Sequence, residues 1–404
     1  MSNRLPIFFI LMTLAIDAMG IGLMMPVMPD LIRSVTGGDL AQAAVWGGVL
    51  AAAFAVMQFL FGPLLGNLSD RYGRRPVLLL SLGFMALDYL VMALAGSIWL
   101  LLAGRIVGGI TAATPAAATA YIADISRPEE KAARFGLIGA AFGLGFVIGP
   151  LIGGLLGAMG PRAPLYAAAI VAALNMALGV LVLPETVKPE NRRAFRLSRA
   201  NPLGAFQDMG RLPGLHRLLL IELLYEFAFL VYPTTWAYFT QARFGWSVGM
   251  IGLSLASFGV SIAFVQGALM RQILKRLGER RTVFFGLTVN VGAFLFFALV
   301  QNGTLALFLT PLTALGAVVT PALQALMSHQ TPDNEQGALQ GAVASMRAVA
   351  MILSPFAMTQ IFALFNGPGA PVYLPGAAFV LSAALMLACL VIFAGSRLRT
   401  ADLT

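Results

Sequence analysis

Six ionisable side chains lie inside long apolar runs of this chain: Asp17, Asp88, Arg105, Glu222, Glu226 and Arg347. Charge is costly in hydrocarbon, so such residues mark function by default. At 1.5 Å per residue, Asp17 and Asp88 stand roughly 18 Å into their apolar segments, close to the middle of a bilayer. Glu222 and Glu226 fall about one to two turns short of that depth, and their i, i+4 spacing sets both on one helix face. Low dielectric favours the protonated form of a carboxyl. Such a group can take a proton from one side of a membrane and release it on the other. A cationic solute competing for the same carboxylate then couples the two movements. The structural alternative is a fixed ion pair, of Asp88 with Arg105 or of Glu222 or Glu226 with Arg347.

The elements that must hold these residues are set by composition. The chain has 404 residues, 59% of them apolar and only 11% charged, with a mean hydropathy of +0.86. A water-facing domain carries roughly a quarter of its residues as charged side chains, so most of this surface faces lipid. Twelve segments reach the roughly 20 apolar residues that a spanning helix needs: 5–29, 42–66, 76–95, 98–122, 133–157, 163–183, 215–240, 248–272, 281–300, 303–327, 335–365 and 373–396. The first is too long for a cleaved leader and contains Asp17. With the N-terminus inside, 21 of the 26 Lys and Arg fall in cytoplasmic segments. Three fall outside (Arg33, Arg162, Arg243), and Arg105 and Arg347 lie within spans. This asymmetry places both termini in the cytoplasm. It also accounts for the net charge of +9, so nucleic acid is not an expected partner.

The two halves repeat at an offset of about 205 residues. Arg71-Tyr72-Gly73 matches Arg276-Leu277-Gly278, Gly62 matches Gly267, Thr114-Pro115-Ala116 matches Thr320-Pro321-Ala322, and Gly149-Pro150 is met by Ser354-Pro355. Asp17 in the first span is met by Glu222 in the seventh. The expected organisation is an all-α membrane protein of two six-helix bundles, 1–184 and 215–404, joined by a basic cytoplasmic linker at 185–214. Parallel repeats with a site at mid-depth are a recurring transporter plan. Pro26, Pro29, Pro115, Pro233 and Pro321 predict bends in the first, fourth, seventh and tenth spans. The small residues around Gly145, Gly149 and Pro150 predict close helix approach. Trp236 and Tyr238 are expected in an interfacial belt, while Tyr225, Phe229 and Tyr232 are candidates to line an apolar cavity.

The loop Gly62-Pro-Leu-Leu-Gly66-Asn-Leu-Ser-Asp70-Arg71-Tyr-Gly73-Arg74-Arg75 resembles the signature loop of the major facilitator superfamily. Gly145-Phe-Val-Ile-Gly149-Pro150 resembles the fifth-helix antiporter motif of its drug exporters, and Arg105 with Gly108-Gly109 the fourth-helix motif. Leu14-Ala-Ile-Asp17-Ala-Met-Gly20-Ile-Gly22, Met57-Gln58-Phe59, Leu87-Asp88-Tyr89 and Tyr121-Ile-Ala-Asp124-Ile are together similar to the bacterial tetracycline/proton antiporters. The resemblance covers the chain and is stronger in residues 1–185. It implies the twelve-helix facilitator fold and a monomer in the bacterial inner membrane. It also implies alternating access that exports a drug, carried as a metal chelate, in exchange for a proton. In that family the residues matching Asp17, Gln58, Asp88 and Arg105 belong to the functional set. Asp70, Arg71, Arg74 and Arg75 read as a conformational latch in which Asp70 caps a helix start of the other half, or as a solvated turn.

Two departures stand out. The family carries a proton-linked acid in its ninth helix where this chain has Asn290, and some members have a histidine where Ile262 stands. The C-terminal proton site is therefore expected on the seventh helix, at Glu222 and Glu226, with Arg347 tuning it and contributing to substrate binding. A carrier for several drugs, a metabolite or a siderophore is the alternative within the same fold. An intramembrane enzyme is disfavoured: no His-Glu-x-x-His or Gly-x-Ser-x-Gly occurs, and both histidines sit at helix ends. No phosphate-binding Gly-x-x-x-x-Gly-Lys occurs either. Neither a metal site nor a cofactor is expected in the protein itself. The lone Cys389 permits no disulfide within the chain.

Overall fold

The computed structural model describes residues 4–187, 190, 192, 195 and 214–396. Most of the predicted linker at 185–214, and the basic residues after 396, lie outside the described residues. Every regular element among the described residues is helical. Among the described residues, eleven helical stretches are long and apolar enough to cross a membrane. One of them, Val248–Leu299, has 52 residues. It would reach about 78 Å if straight, more than twice the hydrocarbon thickness. Gly278 breaks it with φ 71° and ψ 168°, a backbone conformation that favours glycine. Twelve spans result, matching the sequence expectation: α1 Leu5–Met24, α2 Leu40–Tyr72, α3 Arg74–Leu94, α4 Ile98–Ile125, α5 Pro128–Gly157, α6 Ala163–Val182, α7 His216–Phe244, α8 (248–277), α9 (279–299), α10 Gly303–His329, α11 Asp333–Asn366 and α12 Ala377–Ala394.

The chain forms two compact units. The first comprises Met1–Asp39, Val49–Pro202 and Trp246–Ala256; the second comprises Leu40–Gly48, Leu203–Gly245 and Ser257–Thr404. The first nine residues of α2 thus belong to the second unit and the start of α8 to the first. The cause is a pair of close crossings. In the first unit Gly252 lies against the Pro150 carbonyl and Gly154. In the second, Gly48 lies against the Pro355 carbonyl and Thr359. Small residues permit such approach, and the two crossings sit at matching positions of the repeat.

Inside the first unit α1 packs along α5, and α3 along α6. A methyl group added at Gly145, Gly149 or Gly153 would overlap the carbonyl of Ala15, Met19 or Leu23. This four-residue ladder brings the backbone of α5 onto the helix that carries Asp17. Phe9, Ile10, Leu14, Leu78, Leu82, Tyr121 and Ile122 form an apolar core beneath it. In the second unit the same pairings recur: α7 packs on α11 and α12, and α9 on α12.

The predicted bends occur. α1 ends at Met24, and the turn containing Pro26 leads into a short helix, Met28–Thr36. α4 is interrupted after Thr111 and resumes at Thr114, just before Pro115. α7 breaks at Leu230, ahead of Pro233. α10 tightens into a 3₁₀ turn at Ala314–Val318, ahead of Pro321. Proline removes a donor and crowds the preceding turn. In a membrane the carbonyls around a helix break draw on side-chain donors of neighbouring helices. Ser354 and Ser382 donate to the carbonyls of Phe227 and Ala228 below the break in α7, at 2.7 and 3.1 Å.

Arg162 and Arg243, two of the three basic residues expected outside, have a structural task. Arg162 donates to the carbonyls of Ala93 and Ala95 at the end of α3, at 2.9 and 2.7 Å. Arg243 donates to Val300 and Ala298 at the end of α9, at 3.1 and 3.5 Å. Both offset the negative end of a helix dipole and its free carbonyls. The third, Arg33, pairs with Asp30 at 3.6 Å.

Candidate functional site

In the first unit three charged residues sit at span depth. Asp88 and Arg105 are 6% and 8% exposed and form a buried ion pair and hydrogen bond between α3 and α4. The guanidinium also lies over the Phe54 ring, 5.1 Å from its centroid. The fourth-helix motif has a local reason: Gly104 and Gly108 leave the space that the Asp88 carboxylate fills, and Gly109 meets the Phe54 carbonyl of α2. The pair is not saturated, since Asp88 Oδ1 and Arg105 Nε have no hydrogen-bond partner among the described residues. Asp17 stands apart, half-buried, with no ion pair or hydrogen bond among the described residues. One turn on, Gly20 abuts the Tyr89 hydroxyl, which ties α1 to α3. Gln58, on α2 one turn past Phe54, is half-buried and likewise makes no hydrogen bond among the described residues.

In the second unit the acids of α7 converge on one cation of α11. Arg347 Nε is 3.1 Å from Glu222 Oε1 and 3.2 Å from Glu226 Oε1. Its Nη2 also reaches Glu222 Oε1 at 3.1 Å. The i, i+4 expectation is met, because both carboxylates face the same guanidinium. Their surroundings differ. The Glu222 side chain is fully enclosed, that of Glu226 is 21% exposed, and that of Arg347 is 38% exposed. Two carboxylates against one guanidinium leave one charge uncompensated, and Glu222 Oε2 has no hydrogen-bond partner among the described residues.

Tyr225 and Phe229 continue the same helix and stack at 5.6 Å. Tyr225 is 2% exposed, and its hydroxyl donates to the Gly316 carbonyl at 3.3 Å. Tyr232 is 4% exposed and packs among aromatic rings, with Phe258, Phe294 and Phe229 at 4.8, 5.4 and 5.5 Å. Phe229 is only half-buried, the most accessible ring of the three. Trp236 and Tyr238 correct an expectation. They are 2% and 4% exposed, packed on Phe297 and Phe362 inside the unit, and so form no lipid-facing belt. Helical periodicity does not reveal which side of an all-apolar helix turns inward.

The signature loop is tied within its own unit. Gly73 takes φ 108° at the α2–α3 turn. Asp70 meets Arg74 at 2.6 Å, and Arg74 also pairs with Asp124 of α4 at 3.1 Å. Arg75 donates to the Val180 carbonyl at 2.7 Å, while Arg71 lies over Tyr72. The start of α3 itself is capped by Glu185. Its carboxylate accepts from the backbone N–H groups of Arg74 and Arg75 at 2.9 and 3.2 Å, at the positive end of α3. Sequence reading missed Glu185, Ser81 and Tyr89. Glu185 follows Pro184 directly after α6, the kind of position from which an acid can cap a neighbouring helix. Neither Ser81 nor Tyr89 has such a signal.

The signature loop, the buried pair behind the fourth-helix motif and the fifth-helix glycine ladder are thus all present in one unit. The sequence matches the model of the Major Facilitator Superfamily over residues 10–355 and 218–402. The chain belongs to the Major Facilitator Superfamily. Among its relatives, the class C tetracycline resistance protein of Escherichia coli is 41% identical over 390 residues, covering 96% of each chain. The class G protein of Vibrio anguillarum is 37% identical, covering 94% of this chain and 95% of its own. The crystal structure of the human organic anion transporter MFSD10 superposes with a TM-score of 0.69 at 26% identity, over 97% of this chain and 100% of that one. The protein is therefore a multi-pass membrane protein of a transporter family, as its motifs imply.

Proposed function

We propose that this facilitator is a proton-coupled antiporter that exports a tetracycline-like drug from the bacterial cytoplasm by alternating access. It works as a monomeric transporter rather than an enzyme, in the inner membrane, with both termini cytoplasmic. Residues 1–184 and 215–404 are the two moving halves and 185–214 the linker between them. The observation that carries the reading is an uncompensated carboxylate at span depth in each repeat: Asp17, without an ion pair or hydrogen bond among the described residues, and Glu222 with Glu226 against Arg347. A fixed ion-pair network has no need of the excess. A proton or a cationic drug satisfies it, and the two exclude each other, which is the condition for exchange. The substrate class rests on full-length similarity to the tetracycline resistance proteins.

Asp17, Glu222 and Glu226 carry protons. Asp88, held by Arg105, responds to them. The residues proposed to serve substrate binding are Asp17, Gln58 and Arg105 in the first unit, and Tyr225, Phe229, Tyr232 and Arg347 in the second. Asp70, Arg71, Arg74 and Arg75, with Gly145, Gly149 and Pro150, make up the switching surface.

Proteoliposomes with an acid interior test the reading. Tetracycline with a divalent cation, added outside, should release protons through the wild type, and Asp17→Asn should reduce that release at least 100-fold while leaving the protein folded. If wild type ignores tetracycline but exchanges protons for an organic anion, the substrate assignment fails. The exposed Arg347 and the likeness to an organic anion transporter would then carry the reading instead.

A further inference from the structure

In the 3₁₀ turn of α10 the Gly316 carbonyl accepts from Val319 N–H. The same oxygen is shared by two donors from two other helices. Tyr225 of α7 reaches it at 3.3 Å, and Asn290 of α9 at 3.0 Å through Nδ2. The Asn290 amide also donates to Gly286 O of its own helix at 2.9 Å. Asn290 is fully buried, and a methyl group at Gly316 would overlap its side chain, so the amide is locked against the turn. The π turn of α8, Val265–Leu269, packs on the same segment. Three helices therefore converge on the irregular stretch of α10, and irregular helix turns mark places where a helix can change shape.

Tyr225 also occupies a particular place on α7. It is three residues after Glu222 and immediately before Glu226, the two acids held by Arg347. We infer that Gly316 O is the joint through which these acids act on α10, with Tyr225 and Asn290 as positioning residues. The inference rests on the proton-carrying role proposed above for the α7 acids. When the acids change partners, α7 shifts relative to Arg347. The longer bond, from Tyr225, is the first to open. Asn290 keeps its hold on the carbonyl, so α10 stays tied to α9 as it bends. This gives position 290 a reason to be an amide. Its Nδ2 serves two carbonyls at once, while an ionised carboxylate would face both with no proton to offer.

The first repeat treats the carbonyl at the matching place in α4 differently. Thr111 O accepts from the Ser81 hydroxyl of α3 at 2.7 Å. The same hydroxyl accepts from Ala113 N–H at 3.1 Å. No donor from α1 takes part among the hydrogen bonds of the described residues, so the helix that carries Asp17 has no such joint.

The test uses reconstituted full-length protein, with Tyr225→Phe, Asn290→Leu, their double variant and Glu222→Gln. Tyr225→Phe keeps the ring stack on Phe229 and removes only the hydroxyl. A bond made in one protonation state of the acids and lost in the other contributes to their apparent proton affinity. The pH profile of tetracycline/proton exchange should therefore move by about half to one pH unit in Tyr225→Phe. The double variant should lose no more activity than the worse single one, because both donors serve one carbonyl. An unmoved Tyr225→Phe profile with independent, multiplicative losses would overturn the joint and leave both residues as packing. Full coupling in Glu222→Gln, by contrast, would remove the α7 acids from the mechanism, a different failure. If Asn290→Leu does not fold, the Tyr225→Phe profile alone decides.

Discussion

The two units place their membrane charges on different helices. In the first, the ion pair joins α3 to α4 through Asp88 and Arg105. The matching positions of the second unit are Ala293 and Thr310, which carry no charge. In the second, the charges join α7 to α11 through Glu222, Glu226 and Arg347, and the matches of Glu226 and Arg347 are the apolar Ile21 and Phe142. Only the acid at Asp17 and Glu222 is shared. A duplicated frame has thus kept one carboxylate per repeat and moved its cation. In the first repeat the cation sits with a different acid and leaves Asp17 free. In the second it holds the shared acid directly.

The sharpest way to break this comparison is to remove one partner from each cluster. Asp88→Asn strands a buried guanidinium, which cannot shed its proton. Loss of one partner of a buried pair costs about 3–5 kcal/mol, so this variant should unfold at a markedly lower temperature or fail to accumulate. Arg347→Ala strands carboxylates instead, and a buried carboxylate can neutralise itself by taking a proton. Its stability loss should be about 1 kcal/mol, while proton exchange collapses. Thermal unfolding in detergent beside proteoliposome exchange separates the two. Equal destabilisation would mean that both clusters are structural.

The next effect sharpens the comparison at the helix crossings. Gly149 of α5 lies against the Met19 carbonyl, whereas the matching Ser354 of α11 donates to Phe227 O at 2.7 Å. Gly149→Ala adds a methyl where backbone already stands, with an expected loss of about 1–3 kcal/mol from overpacking. Ser354→Ala removes one hydrogen bond from a site that already holds a Cβ and should cost about 1 kcal/mol. Unfolding midpoints compare them directly. A Gly149→Ala loss smaller than that of Ser354→Ala would show that α1 and α5 can separate freely.

Much of this frame was legible in the sequence, because the physics that writes it is local. Spans follow from apolar length, the repeat from spaced matches, and the bends from prolines whose missing donors act on their own helix. The pairing of Glu222 and Glu226 on one face needed only the helical period. What stayed hidden depends on which side of a helix faces which neighbour. Trp236 and Tyr238 turned inward, although an aromatic at a helix end reads the same either way. Tyr225, read as a cavity residue, bonds the Gly316 carbonyl of α10, a partner on another helix that the spacing of residues on α7 does not reveal. Glu185 caps a helix start more than 100 residues away, at Arg74 and Arg75, and no periodicity points to such a partner.

The smallest effect lies at the turns. Arg74 pairs with Asp124 at 3.1 Å in the first unit, and Glu279 meets His329 at 3.2 Å in the second. These are matching positions with the charges reversed: base then acid in one repeat, acid then base in the other. The first pair is backed by Asp70 and partly shielded. In the second the imidazole is 66% exposed and is charged only when protonated. Exposed pairs contribute about 0–1 kcal/mol, so Glu279→Gln should barely move the unfolding midpoint, and Arg74→Gln should move it further. Rebuilding the second pair in the pattern of the first, with Glu279→Arg and His329→Asp together, should restore whatever Glu279→Arg alone loses. The rescue should weaken as salt is raised from 0.05 to about 0.5 M, because screening shortens the reach of exposed charges. Rescue by the double variant would establish that the turn recognises a pair of opposite charges in either order. A double variant no better than Glu279→Arg would mean that the orientation matters, and that the reversal between repeats is itself part of what distinguishes the two units.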